Sequence, residues 1–209
     1  MDISVYNENY IINNEIVLDL PKACTKINDF DYGKIKFILI TSLKGNHFAD
    51  FPAIFEKCTE FDNNKKIVLV APKYAIQTIE ELFAIYDMNY SLDFILSKFE
   101  IIEVQDGDEI KLDGYVVKAI SSDSNQNLCY LIKESENSSA VGFCANSSIF
   151  DNLFNLIQES NVVFGNLSFS ENEITVEDVS YLEQKYPNKK FHFKKVNGGM
   201  DRNCIKIHV

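Results

Sequence analysis

The chain has no apolar run near the roughly 20 residues that cross a bilayer as a helix. Its first ten residues, MDISVYNENY, hold neither a basic segment nor an apolar core, so no signal peptide is expected there. The five cysteines, Cys24, Cys58, Cys129, Cys144 and Cys204, are odd in number and form no CxxC pair. That spacing supplies no disulfide framework, and reduced, mostly buried thiols in a cytoplasmic protein are expected. Basic residues are also scarce: 20 Lys+Arg against 31 Asp+Glu leave a net charge of −11. No wide surface can then neutralise phosphates, which argues against an extended nucleic-acid interface and against anionic membranes. Repeats, low-complexity tracts and Pro/Gly-rich linkers are missing too, so one domain over 1–209 is expected.

What is present is alternation. EIVLDL (15–20) reads as a short strand, and KFILIT (36–41) as a strand covered on both faces. The polar loop SLKGNHFAD follows, with a single histidine. Phe51, Ile54, Phe55 and Cys58 then fall at i, i+3, i+4 and i+7, one face of a helix that Asp50 would cap and Pro52 would tolerate in its first turn. KKIVLVAP (65–72) is another buried strand, and Ile76, Ile79, Leu82, Phe83 and Tyr86 mark an amphipathic helix. Buried strands alternating with helices imply an α/β layer arrangement.

The middle third holds two Asp-Gly steps, Asp106-Gly107 and Asp113-Gly114, each between β-rich runs, which is the signal for hairpins. LCYLIKES and AVGFCAN flank SENSS as a further hairpin. The last third returns to alternation. Ile149, Leu153, Phe154, Leu156 and Ile157 predict a helix capped near Ser147 or Ser148, and NVVFGNLSF a strand. Thr175 and Asp178 resemble a capping box for a helix carrying Val179 and Leu182. KKFHFKK and CIKIHV read as final strands joined through Asn197-Gly198-Gly199.

Five blocks stand in the order of a known family. They are EIVLDLP, FILITSLKGNHFADFPAIFEKC, VQDGDEIKLDGYVVKAI, AVGFCANSSIFDNLFNLIQESNVVFGNLSF and ITVEDVSYLEQKYPNKKFHFKK. Together they resemble the metallo-β-lactamase superfamily, in its ribonuclease Z and phosphodiesterase branch, over residues 15–195. The resemblance implies an α/β fold, a four-layer αββα sandwich. For active members it also implies two divalent ions, held by imidazoles and carboxylates, that activate a water for hydrolysis.

The ligand positions of that family are altered here. Its His-x-His-x-Asp-His loop falls on Ser42, Lys44, Asn46 and His47, of which only His47 matches. Ser121 and Ser122 stand where a histidine belongs after VVKAIS. The Gly-Asp-Thr turn falls on Ala145, Asn146 and Ser147, so Asn146 replaces a bridging aspartate. Asn166, Glu173 and Lys195 fall on later family positions, with His192 three residues before Lys195. Asparagine brings no charge to offset a dication, and a protonated lysine has no lone pair to give. These positions imply a pseudoenzyme, with no cofactor, that binds a protein partner or a small anionic, phosphate-like ligand at Ser42, Lys44, Asn46, His47, Ser122, Asn146 and Lys195. The alternative is a hydrolase with a reduced or rebuilt site, using His47, Cys144 and His192 and one zinc or other divalent ion.

Each candidate also has an ordinary reading. His47 would be a hydrogen-bonded histidine at a helix start, and Lys44 and Lys195 would either share an anion pocket or extend to solvent. Asp19 and Asp50 would serve acid–base chemistry, or a strand-end turn and a helix cap. Cys144 has no identified base and reads as a buried thiol. His208 is expected to be exposed. The resemblance further implies a homodimer, with Phe51, Ile54 and Phe55 contributing either to its interface or to the core.

Overall fold

The computed structural model describes residues 1–6, 9–20, 31–60, 65–122, 127–144, 150–167, 174–195 and 205–209. By its internal contacts the chain forms two compact units, 2–104 with 201–208, and 105–200 with Met1 and Val209.

In the first unit, β1 (Asp2–Tyr6), β2 (Asn9–Ile12) and β3 (Ile16–Leu18) form an antiparallel meander. Then come β4 (Phe37–Leu39), α1 (Gly45–Phe48), α2 (Phe51–Thr59), β5 (Ile67–Pro72), α3 (Ala75–Ile85), α4 (Leu92–Lys98) and β6 (Phe99–Val104). Strands β3 to β6 run parallel, and β4 is buried at all of Phe37, Ile38 and Leu39, as continuous apolar runs require of strands covered on both faces. The core of this unit is rich in phenylalanine. Phe51 and Phe55 of α2 are fully buried and meet Phe83 of α3 and Phe99 of β6, with ring centroids 5.2–6.0 Å apart. Each such burial contributes about 2–3 kcal/mol. Core packing therefore accounts for Phe51, Ile54 and Phe55, the residues also considered for an interface.

The second unit contains β7 (Glu109–Leu112), β8 (Tyr115–Ser121), β9 (Leu128–Glu134), β10 (Ala140–Cys144), α5 (Asp151–Glu159), β11 (Val162–Leu167), α6 (Val176–Lys185) and β12 (Lys190–Lys195). The final strand, β13 (Ile205–His208), returns to the first unit and pairs antiparallel with β1. Among the described residues the sheet orders are β13-β1-β2-β3-β4-β5-β6 and β12-β11-β10-β9-β8-β7. Strands β7 to β10 are antiparallel, whereas β10, β11 and β12 run parallel. Two glycines set close approaches here. A Cβ on Gly142 would collide with Leu156 and Ser160 of α5 and its C-cap, and one on Gly165 with the Cys144 carbonyl and the Phe193 ring.

Several local expectations hold. Asp113-Gly114 makes the β7–β8 hairpin, with Gly114 at φ +82°, and β9 pairs with β10 across the SENSS turn. The Thr175–Asp178 capping box is formed in both directions. Others are corrected. Asp106-Gly107 is a turn, with Gly107 at φ +84°, but not a hairpin: β6 pairs with β5 and β7 with β8. The final strands β12 and β13 are both formed, in different sheets, and the Asn197-Gly198-Gly199 turn between them lies outside the described residues. Asp50 sits at the N-cap of α2, yet its side chain makes no capping bond. The N-cap of α5 is Phe150, while Ser147, Ser148 and Ile149 lie outside the described residues. Tyr86 is the C-cap of α3 and is 54% exposed rather than part of its buried face.

Candidate functional site

The parallel register of β3 and β4 pairs Leu18 with Leu39. It thereby brings the residues just beyond both strand ends, Asp19 and Thr41, together. Asp19 adopts φ 57°, a left-handed conformation that aspartate tolerates better than most side chains, and this turns its carboxylate inward. The Asp19 N–H donates to the Leu39 carbonyl at 2.9 Å, which fixes the bend.

A carboxylate buried to 3% exposure is costly unless its oxygens are fully paired. Here Oδ1 accepts from the Thr41 N–H at 2.7 Å and from Thr41 Oγ1 at 2.9 Å. Oδ2 accepts from Thr41 Oγ1 at 2.7 Å and from His47 Nδ1 at 2.8 Å. His47 is itself 3% exposed and stands in α1. The loop is closed by backbone bonds on the same residues: the Leu20 N–H donates to the His47 carbonyl at 2.6 Å, and the Asp50 N–H to the Leu20 carbonyl at 3.3 Å. His47 Nδ1 also lies 3.2 Å from Thr41 Oγ1. The ring is thus held in orientation by a carboxylate and a hydroxyl, as an imidazole is when it serves as a ligand or base.

The other expected loop residues differ from His47. Ser42 is buried, and its Oγ accepts from the Lys44 N–H at 3.3 Å. Lys44 is exposed at the N-cap of α1 and makes no capping bond with its side chain. Asn46 lies within α1, its side chain outside the described residues. All of these belong to the first unit.

The remaining candidates belong to the second unit. Ser122 is 3% exposed, and its Oγ donates to the Asn127 carbonyl at 3.1 Å while its N–H donates to the same carbonyl at 3.0 Å. It closes the β8–β9 connection. Cys144 pairs in register with Cys129 across β10 and β9, both buried and free. The hydrogen bond with Cys129, then burial, then the charge repulsion of a second thiolate push the Cys144 thiol well above its ordinary range. That is the opposite of an activated nucleophile. Burial alone pushes Cys58 up to about 12. His192 stacks on Phe164 with centroids 5.3 Å apart. Burial, then the charge of Lys190, holds its ring below the ordinary range. Lys195 ends β12, with its side chain outside the described residues. Asn146 and Glu173 also lie outside them.

Among the described residues, no group of three or more His, Cys, Asp or Glu is placed to hold a metal ion. The sequence pointed to Asp19 and His47 separately. It did not point to Thr41, whose role depends on the parallel register and leaves no local signal.

No family model matches the chain, and no curated protein matches it in sequence. Solved structures do match. Human tRNase Z, short form, aligns with a TM-score of 0.73 at 14% identity, covering 100% of each chain. The metallo-β-lactamase fold protein YhfI from Bacillus subtilis aligns with a TM-score of 0.73 at 9% identity, over 97% of this chain and 90% of that one. A diphosphatase of the PhnP family aligns at 0.67 and 11% identity, over 95% and 82%. The chain therefore has the metallo-β-lactamase fold, an α/β fold as the resemblance implied. Its structural neighbours include tRNase Z-type proteins.

Proposed function

We propose that this chain is a metallo-β-lactamase-fold protein that lacks a dinuclear metal centre and acts by binding rather than catalysis. The observation that carries this reading is the chemistry of the β4–α1 loop. Its one imidazole is held at Nδ1 by Asp19, while Ser42 accepts a backbone hydrogen bond and Lys44 presents an ammonium. A hydroxyl and an ammonium do not replace imidazoles around a dication, since neither matches their donor strength and the ammonium repels the ion. The described donors therefore do not fit the two-ion site of active members, and no hydrolytic step is assigned to them.

The ligand would be either a protein partner, including a second copy of the chain, or a small phosphate-like anion at Lys44, with Lys195 and Asn146 as further candidates. A cytoplasmic setting is part of the same proposal. Phosphate and nucleotide titrations against the wild-type chain and Lys44→Ala test the anion arm. Saturable binding lost in the variant supports it, and equal binding or none by both removes it.

One observation favours a second reading. The Asp19–Thr41–His47 bonds hold a single imidazole as firmly as a ligand would be held. A hydrolase using one divalent ion at His47 is thus the alternative, and stoichiometric metal with phosphodiester cleavage would establish it.

A further inference from the structure

Residues 74–97 carry four carboxylates, Glu80, Glu81, Asp87 and Asp93, and no lysine, arginine or histidine. They form α3, a turn and α4. Their inward residues Ile79, Phe83 and Ile95 are buried in the core of the first unit. The corner between the helices nevertheless leaves Ile85 77%, Tyr86 54%, Tyr90 38% and Phe94 40% exposed. With Tyr74, this stretch holds five of the seven exposed large apolar side chains among the described residues. Scattered exposed apolar residues need no explanation, but a concentration of this kind marks a contact surface.

The corner is also preorganised. The Met88 N–H donates to the Phe83 carbonyl at 2.9 Å and the Asp87 N–H to the Ala84 carbonyl at 3.2 Å, with Asp87 at φ 55°. These bonds are a Schellman ending, which fixes the exit from α3. Ser91 caps α4 by accepting from the Phe94 N–H. Tyr90 and Phe94 stack at 5.4 Å, and both rest on Phe55, at 5.2 and 6.0 Å. The Tyr86 hydroxyl donates to the Ala49 carbonyl at 3.4 Å. Binding here therefore orders little that is not already ordered.

Charge selects the occupant. Glu81 lies one helical turn before Ile85, Asp87 follows Tyr86 and Asp93 precedes Phe94, all three exposed. A second copy would bring the same carboxylates against these, on a chain of net charge −11. We propose that the α3–α4 corner is the docking surface for a cationic amphipathic helix of another protein. Its apolar stripe would cover Ile85, Tyr86, Tyr90 and Phe94 while its lysines or arginines meet Glu81, Asp87 and Asp93. This deepens the binding reading above, on which it rests, by naming the surface and the partner's chemistry.

The probe is a fluorescent helical peptide with leucines at i, i+3, i+4 and i+7 and lysines elsewhere, titrated with the full chain by anisotropy. The expected result is saturable binding that weakens with added salt. It falls by about tenfold or more in Ile85→Ser/Tyr86→Ser, and likewise in Glu81→Lys/Asp93→Lys. Ile85, Glu81 and Asp93 are exposed, and circular dichroism of each double variant checks that the chain stays folded where the Tyr86–Ala49 bond is lost. A peptide with glutamates in place of lysines does not bind. Absence of binding, or binding unchanged by both double variants, overturns the proposal. So does self-association of the wild-type chain in sedimentation velocity that Ile85→Ser/Tyr86→Ser abolishes, which would give the surface to a second copy. Stoichiometric metal with hydrolysis, alongside intact peptide binding, would instead sink the non-catalytic reading and leave this surface standing.

Discussion

His47 Nδ1 and Asp19 Oδ2, 28 residues apart in the chain, meet at 2.8 Å where neither side chain is more than 5% exposed. Thr41 completes the arrangement, so three donors converge on one buried carboxylate. Asp19→Ala would leave all three without their acceptor. The expected loss is about 3 kcal/mol, read as a lower urea midpoint with an unchanged slope. Thr41→Val, which keeps the backbone donor, would cost about 1 kcal/mol. An Asp19→Ala variant as stable as wild type would show that the carboxylate is not what holds the loop.

Asp87 occupies a left-handed conformation at the end of α3, φ 55°, where glycine is the unstrained residue. Asp87→Gly is expected to stabilise the fold by about 1 kcal/mol, or about 2–4 °C in Tm. Asp87→Val, β-branched at the same φ, is expected to lower Tm. Calorimetry of the two variants checks both signs.

The pH dependence of stability has a contribution from His192. Its folded pKa lies below the ordinary 6.5, first because burial disfavours the charged ring and then because of Lys190. As pH falls below 6.5, the unfolded chain takes up this proton before the folded one does. Stability therefore drops as the solution is acidified through that window and is fully present above it. His192→Phe is expected to flatten the drop that sets in below pH 6.5, in urea titrations at several pH values. Glu159 acts lower on the scale: its hydrogen bond with Lys133 holds it below 4.5, and the stability it adds is lost as pH falls further.

Gly165→Ala tests the packing between β11 and its neighbours. A Cβ there would run into the Cys144 carbonyl and the Phe193 ring, and backbone does not yield as a flexible side chain does. A loss of about 1–3 kcal/mol in urea denaturation is expected.

Where pattern and structure agree, the cause is local. The buried parallel strands β4 and β5 are legible as apolar runs, and the Thr175–Asp178 box as a pair of side chains three residues apart. The two Asp-Gly steps show the limit. Gly107 and Gly114 have nearly the same positive φ, yet only Gly114 makes a hairpin. What separates them is sheet membership: β6 ends one sheet beside β5, while β7 belongs to the other sheet beside β8, and no local signal at either Asp-Gly step carries that. Strands β1 and β2 carry no clear sequence signal for the same kind of reason. DISVY and NYII carry polar interruptions, and β1 gains one of its partners, β13, from the far end of the chain. At the site, Asp19 and His47 were visible singly. Their pairing, and the part played by Thr41, come from the β3–β4 register.

The central claim is that the β4–α1 loop keeps its buried hydrogen bonds without holding a dinuclear centre. Its most direct test is metal analysis of the full chain, produced with zinc, iron and manganese in the medium, purified without chelator and assayed on a phosphodiester. The account predicts substoichiometric metal and no cleavage above background, before and after metal is added back. One or two tightly held ions per chain, with cleavage lost in His47→Ala, would contradict it.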